Sequence, residues 1–317
     1  MFLYSTVLTP LAIGLLVMMY PILIKVRYEL LPSLLRQRQL YHQLALSIVL
    51  NWIVAPLLML ALSWAFLPDR PALREGLILV GVARCIAMVL IWTDLAGGDM
   101  DYCAMLVAVN SLLQIVLFAP LAVFFIRVVS RSENTVPIDY STVAQSVAAF
   151  LGIPLAAAIL TRAVVLSWIC GGNTKKYNRN FVRWVSPLSL LGLLFTIIVL
   201  FAAQSKNVVS KITSVLRVCA PLLVYFVAVF IGTVWVCLWL RKKTAAKEEG
   251  SWGYGVMCAQ SLTAASNNFE LAIAVAVVCY GVDSEQALAA TVGPLVEVPV
   301  LLALVEALKW GRKRWGW

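Results

Sequence analysis

The 317-residue chain is 62% hydrophobic and only 13% charged, with a mean hydropathy of +0.92, whereas a soluble domain runs about 45–50% apolar and about 25% charged. Too few polar side chains are present to cover a water-facing surface of this size, which excludes a soluble globular protein and, with hydrophobic runs recurring along the whole chain, a disordered or simply secreted one. Lys and Arg outnumber Asp and Glu by 25 to 15, and the resulting +10 has to be explained by where the charges sit.

A membrane-spanning helix needs roughly 20 mostly apolar residues. Nine stretches qualify, centred on Val7–Val26, Leu40–Leu67, Leu73–Trp92, Cys103–Ile126, Thr142–Leu166, Val185–Ala203, Val215–Leu240, Val256–Tyr280 and Ala287–Trp310. The runs are continuous and too long for tilted barrel strands. The expected fold class is therefore an all-α polytopic membrane protein. Taking alternate connections together, seventeen basic residues fall on one side, in clusters around Lys25–Arg38, Arg162–Arg183, Arg241–Lys247 and Lys309–Arg314. Seven fall on the other (Arg70, Arg74, Arg127, Arg131, Lys206, Lys211 and Arg217), and Arg84 lies within a span. The positive-inside rule assigns the seventeen, and the C-terminus, to the cytoplasm. The charge thus reads as topology, with the lipid bilayer as the partner and no need for nucleic acid.

The third span reads GVARCIAMVLIWTDLAGGDMD, with Arg84 inside it and an expected break at Gly97-Gly98. The eighth carries Ser266, Asn267, Asn268 and Glu270 near its middle. Irregular backbone at membrane depth persists only where protein or a cavity shelters it, and paired interrupted spans point to a secondary transporter built on inverted repeats. The interruptions lie five spans apart. A five-plus-five repeat fits if one leading span is missing, which predicts repeats at 1–135 (four spans) and 136–317 (five spans) within one membrane unit, and an extracellular N-terminus.

Carboxylates within a span cost about 2.5–3.5 kcal/mol each on insertion scales and are rare without a reason. Glu270 and Glu297 qualify, the latter between Pro294 and Pro299. Desolvation favours the neutral form of a carboxyl group, so a proton-coupling role follows; the alternative is neutralisation by an interior arginine such as Arg84 or Arg162. Cys85 adjoins Arg84. A thiolate is a soft ligand assisted by a nearby cation, but adjacent residues on a regular helix diverge by about 100°, so Arg84 assists only where the helix is unwound. A cysteine in an apolar helix is more often a small buried hydrophobe. Asn51, Asn110 and Gln114 fit interhelical hydrogen bonding. Seven scattered cysteines and a single histidine, His42, supply neither a disulfide framework nor a zinc site, and no cofactor is expected. An intramembrane aspartyl protease lacks its paired acids within spans, so the chain reads as no enzyme.

LAIGLLVMMYP at 11–21, ARCIAMVLIWTDLAGGD at 83–99, LVAVNSLLQ at 106–114, SLTAASNNFELAIAVA at 261–276 and VGPLVEVPVL at 292–301 resemble the Acr3 arsenite efflux permeases, within the superfamily of the bile-acid sodium symporters. The resemblance runs in order over nearly the whole chain. It implies a ten-helix inverted-repeat fold whose broken helices cross in a core that moves against a second bundle, the first helix being absent here. It also implies a plasma-membrane antiporter that exports arsenite, and in some members antimonite, in exchange for protons and so confers arsenic resistance. By motif, the family's functional cysteine and arginine fall on Cys85 and Arg84, and its acids on Glu270 and Glu297. Trp92, Asn110, Ser266 and Asn268 match further positions, Asn51 and Arg162 within weaker surroundings. Arsenite is mostly neutral As(OH)3, so a single thiolate and hydrogen bonds from Asn268, Asn110 and Ser266 would have to select it. A sodium-coupled organic-anion symporter on the same fold is the competing expectation, with Ser266, Asn267 and Glu270 at a cation site.

Overall fold

A computed structural model describes residues 2–26, 38–86, 88–130, 139–244 and 252–315. The basic residues Arg27, Arg36, Arg131 and Lys247 and the predicted repeat boundary at 135/136 lie outside the described residues. Among those described, nine helical passages follow one another in the order the hydropathy predicts. The first is α1 (Phe2–Ile24). The second joins α2 (Arg38–Val49) to α3 (Ala55–Phe66) through a wide π-turn at Leu50–Val54. The third is split into α4 (Pro71–Val82) and α5 (Met88–Ala96). The fourth is α6 (Met100–Val123), continued by a π-turn at Phe124–Val129. The fifth joins α7 (Tyr140–Val147) to α8 (Ile153–Val164) through a π-turn at Ala148–Gly152. A short α9 (Thr174–Tyr177) leads into α10 (Arg183–Ser210) and α11 (Ile212–Thr244). The eighth passage is split into α12 (Tyr254–Ala265) and α13 (Phe269–Tyr280), and α14 (Glu285–Trp315) is the last.

Proline explains two of the wide turns. Pro56 and Pro154 lack an N–H and crowd the carbonyl four residues earlier, and each follows directly on a π-turn that widens the backbone ahead of it. Five continuous helices of 27 to 32 residues are long and apolar enough to cross a membrane.

The passages sort into two bundles. α1 packs on α8 and α10, where Gly192 brings α10 so close that an added Cβ would lie 2.8 Å from the Met18 backbone nitrogen. The remaining helices surround the two broken ones: α4 against α3 and α14, α12 against α6 and α11, α13 against α14 and α7. The connections separate to opposite ends. At one end Arg217 holds Asp69 in a two-point ion pair, while Arg70 and Lys211 approach Glu285 at 4.0 and 3.6 Å. The guanidinium of Arg217 keeps the Asp69 carboxyl well below its ordinary range, at about 2. At the other end the Asp99 N–H donates to Gly255 O at 3.2 Å and Tyr254 OH donates to Ala96 O at 2.8 Å.

The tightest internal approach is between α13 and α14. A Cβ at Gly293 would fall 1.7 Å from the ring of Phe269, which is 1% exposed and has nowhere to turn. Gly293→Ala is therefore expected to destabilise the protein by about 1–3 kcal/mol, the usual cost of overpacking. A thermal melt of the detergent-solubilised variant matching wild type would show that this contact is slack.

Candidate functional site

Both breaks occur where the two split passages cross. α4 ends at Ala83, whose ψ of 110° takes the chain out of helix, and α12 ends at Ser266, with ψ 149°. Each break leaves backbone groups without helical partners, and the two satisfy one another. Arg84 and Asn267 pair as a single antiparallel bridge, the Asn268 N–H donates to Ala83 O at 3.0 Å, and the Asn267 amide donates to Val80 O at 2.7 Å and Ala83 O at 3.3 Å. Asn267 thereby caps the C-terminus of α4. The Asn268 Oδ1 accepts from Leu271 N–H at 3.1 Å and caps the N-terminus of α13, whose first turn carries Glu270. An acid in that turn is favoured by the positive end of the helix dipole.

This corrects the sequence expectation for the third span. The break lies at Arg84 and Cys85, while Gly97 and Gly98 end the passage, Gly97 turning the chain at φ 68°. The alignment limit on Arg84 and Cys85 is thus lifted, since the helix is unwound at both.

Arg84 is 0% exposed. Its backbone N–H donates to Gln114 Oε1 at 2.5 Å, its Nη1 to Tyr225 OH at 3.1 Å, and its Nη2 to Gly81 O. The guanidinium therefore caps α4 and ties the crossing to α11. Cys85 is 1% exposed, and none of the seven cysteines is in a disulfide. Glu297, 3% exposed on α14, accepts through Oε1 from Ser266 Oγ at 2.6 Å and from the Asn267 N–H at 3.2 Å. Its two donors are the linker of the second broken helix. Glu270 is also buried. Among the described residues neither acid forms an ion pair with Arg84 or Arg162.

Asn110 and Gln114 stand one turn apart on α6, and Asn110 Oδ1 accepts from Trp52 Nε1 at 3.1 Å. Asn51, in the first π-turn, donates to Ser47 O at 2.9 Å and Ser47 Oγ at 3.2 Å. Five buried nitrogen donors on these elements have no hydrogen-bond partner: Arg84 Nε, Trp92 Nε1, Asn110 Nδ2, Gln114 Nε2 and Asn268 Nδ2. Native interiors leave few such groups, so their concentration on the helices around the crossing marks a place equipped for a polar guest. Among the described residues no group of three His, Cys, Asp or Glu side chains is arranged for a metal ion.

Arg162 is not part of this assembly. It lies buried in α8, in the other bundle, donating to Ile24 O at 3.0 Å with its guanidinium 5.0 Å from the Tyr177 ring centroid. Two participants escaped sequence reading. Tyr225 sits in an unbroken apolar run where one polar atom leaves no periodic trace, and Trp52, beside Asn51, reads as one more apolar residue of its span.

Nine helical passages among the described residues, with two broken helices that complete each other's backbone bonding in a buried polar crossing, define a multi-pass membrane transporter. Residues 12–211 match the Sodium Bile acid symporter family. The arsenical-resistance protein Acr3 of Corynebacterium glutamicum is 43% identical over 308 residues, covering 95% of this chain and 78% of that protein. The Acr3 of Alkaliphilus metalliredigens is 30% identical over 314 residues, with 96% and 82% covered, and an uncharacterized transporter of Synechocystis 32% identical over 320 residues, with 95% and 78% covered. The chain belongs to the Acr3 arsenical-resistance family within the Sodium Bile acid symporter superfamily.

Proposed function

We propose that this protein exports trivalent arsenic as arsenite from the cytosol across the plasma membrane, in exchange for protons, by alternating access to the crossing. The observation that carries the reading is the unwound Arg84-Cys85 stretch, buried beside unpartnered donors, in a chain so similar to arsenical-resistance proteins. Neutral As(OH)3 brings three hydroxyl groups to Trp92 Nε1, Asn110 Nδ2 and Asn268 Nδ2, donors that lack partners in its absence. Cys85 supplies the selective bond: the thiol sulfur displaces one hydroxyl from arsenic and the thiol proton leaves with it as water, a balanced and reversible exchange. A single thiol keeps that bond weak enough to unload, as transport requires.

Glu297 couples the proton. As a carboxylate it accepts charge-assisted hydrogen bonds from Ser266 and the Asn267 N–H, and such bonds are roughly twice as strong as neutral ones. Protonation weakens both and slackens the 266–268 linker, and with it the Asn267 pairing to Arg84. Glu270, one turn into α13, is the second proton-bearing group. The moving parts are the bundle of α1, α8 and α10 and the core around the crossing, within two inverted repeats, 1–135 and 136–317, that carry one broken helix each. The C-terminal end, with its basic cluster, faces the cytoplasm.

The test is arsenite accumulation in arsenic-sensitive cells with and without this chain. Lower accumulation that persists in sodium-free buffer and disappears when the proton gradient is collapsed is the expected result. Equal accumulation with and without the protein overturns the substrate, and a strict sodium requirement overturns the coupling ion.

A further inference from the structure

At the basic end of the core, α11 and α14 part to leave an apolar groove of about 200 Å³. Its walls are Phe230, Val234 and Leu238 of α11, Met257 of α12, and Leu308 and Trp310 of α14. Arg312 and Tyr254 also line it. The flanks are those of a bilayer interface: Ile231, Trp235 and Trp239 are exposed, Lys243 lies 5.0 Å from the Trp239 ring centroid, and Arg314 lies 5.1 Å from that of Trp310. Tryptophans and cations belong at headgroup level. Arg312 is different from its neighbours in position. Its guanidinium lies 4.9 Å from the Tyr254 ring centroid and beside Gly97, where an added Cβ would be 3.1 Å from Nη1. It therefore stands at the rim of the groove, over the joint at which Tyr254 OH donates to Ala96 O and the ends of α5 and α12 meet.

We propose that this groove binds one anionic phospholipid, with an acyl chain against the apolar walls and the phosphate on Arg312. Charge complementarity selects the occupant: α14 ends in Lys309, Arg312, Lys313 and Arg314, and the groove opens at that end between two helices already long enough to span the bilayer. A zwitterionic lipid fills the walls equally well but gains nothing net from the guanidinium. Because the seat is built on the joint between the inner half-helices, its occupancy favours the arrangement of α5 and α12 described above, whatever the transported solute.

Native mass spectrometry of the detergent-purified full chain tests this, with phosphatidylglycerol and phosphatidylcholine of matched acyl chains as probes. One basic residue near a headgroup contributes about 1 kcal/mol, or about fivefold in affinity. Wild type is expected to bind a first phosphatidylglycerol about fivefold more tightly than phosphatidylcholine. Arg312→Gln should erase that preference, Arg312→Lys should keep most of it, and Lys313→Gln should leave it intact. Val234→Trp, which fills the groove, should weaken both lipids. Thermal melts in phosphatidylcholine verify that each variant is folded, and glycerol phosphate without acyl chains should not raise the wild-type melting temperature. Equal binding of the two lipids by wild type, or an unchanged preference in Arg312→Gln, overturns the proposal in favour of the diffuse basic belt.

Discussion

Glu297→Gln is expected to abolish proton-driven arsenite transport while leaving the fold in place. Glutamine keeps the length of the side chain and a carbonyl oxygen for Ser266 Oγ and the Asn267 N–H, which donate to Oε1 at 2.6 and 3.2 Å. It cannot take up or release a proton in the accessible range, so the 266–268 linker would be held in one bonding state throughout the cycle. Arsenite uptake into inverted membrane vesicles under an imposed pH gradient is the measurement. The rate should fall to that of vesicles without the protein, and Glu297→Asp should restore part of it, because a shorter acid still exchanges protons. A wild-type rate in the glutamine variant would remove Glu297 from the coupling and leave it as a structural anchor for the linker. Glu270→Gln serves as the companion variant: on α13 it touches neither Ser266 nor the Asn267 N–H in the described bonding, so its effect separates proton binding from linker control.

The second large effect is expected at Cys85. Replacing it with serine exchanges a soft sulfur for a hard oxygen in the same volume, and oxygen offers trivalent arsenic no advantage over water. Arsenite transport should drop at least tenfold, equivalent to about 1.4 kcal/mol of lost transition-state or site stabilisation. Cys85→Ala should behave alike in transport and alter fold stability by only about 1 kcal/mol, the scale of one small buried group. Cys103→Ser is the internal comparison. That thiol is equally buried, but on α6 it is already engaged, accepting from Thr93 Oγ1 at 3.3 Å and donating to Val89 O at 3.8 Å, and its loss should leave transport near wild type. Labelling of Cys85 by a thiol reagent, slowed by arsenite, gives a readout that a packing role would not produce. Full transport in Cys85→Ser would return the residue to packing.

The crossing also bears on why its charge is arranged as it is. Arg84 is enclosed with no acid in ion-pair contact among the described residues: its charge reaches Glu297 only through space, and its side-chain hydrogen bonds go to Gly81 O at the end of α4 and to Tyr225 OH. Burying an unpaired cation is costly, and the carbonyl end of a helix is the cheapest place to hold one, since the dipole there is negative. The same guanidinium closes a helix end that the break would otherwise leave bare. One side chain thus serves the backbone and the electrostatics of the site together.

How much of this was legible in advance differs between the two broken helices. For the second, Ser266, Asn267 and Asn268 are consecutive polar residues with strong capping preferences, and the interruption is written in the chain at the position where it occurs. For the first, Ala83, Arg84, Cys85 and Ile86 are all compatible with helix, and the only local helix breakers nearby, Gly97 and Gly98, drew the expectation to the wrong place. Nothing within the third span opens it at Ala83. What opens it is the Asn267 amide and the Asn268 N–H, nearly two hundred residues further along, which take over the carbonyls of Val80 and Ala83. Arg162 shows the converse. The family resemblance offers it as a site residue, within weaker surroundings, but α8 packs on α1, so its guanidinium goes to Ile24 O in the other bundle.

The sequence by itself determined that the chain is a multi-pass membrane protein, where its apolar stretches run and that the eighth is interrupted at Ser266–Asn268, because the free energy of inserting a segment is nearly a sum over some 20 adjacent side chains. Only the tertiary structure decided where the third passage breaks, that Glu297 is hydrogen-bonded by the 266–268 linker while Arg84 acts on it through charge alone, and that Arg84 is tied to Gln114 and Tyr225. Those outcomes depend on hydrogen bonds between residues 30 to nearly 190 positions apart, whose geometry exists only once the helices have packed.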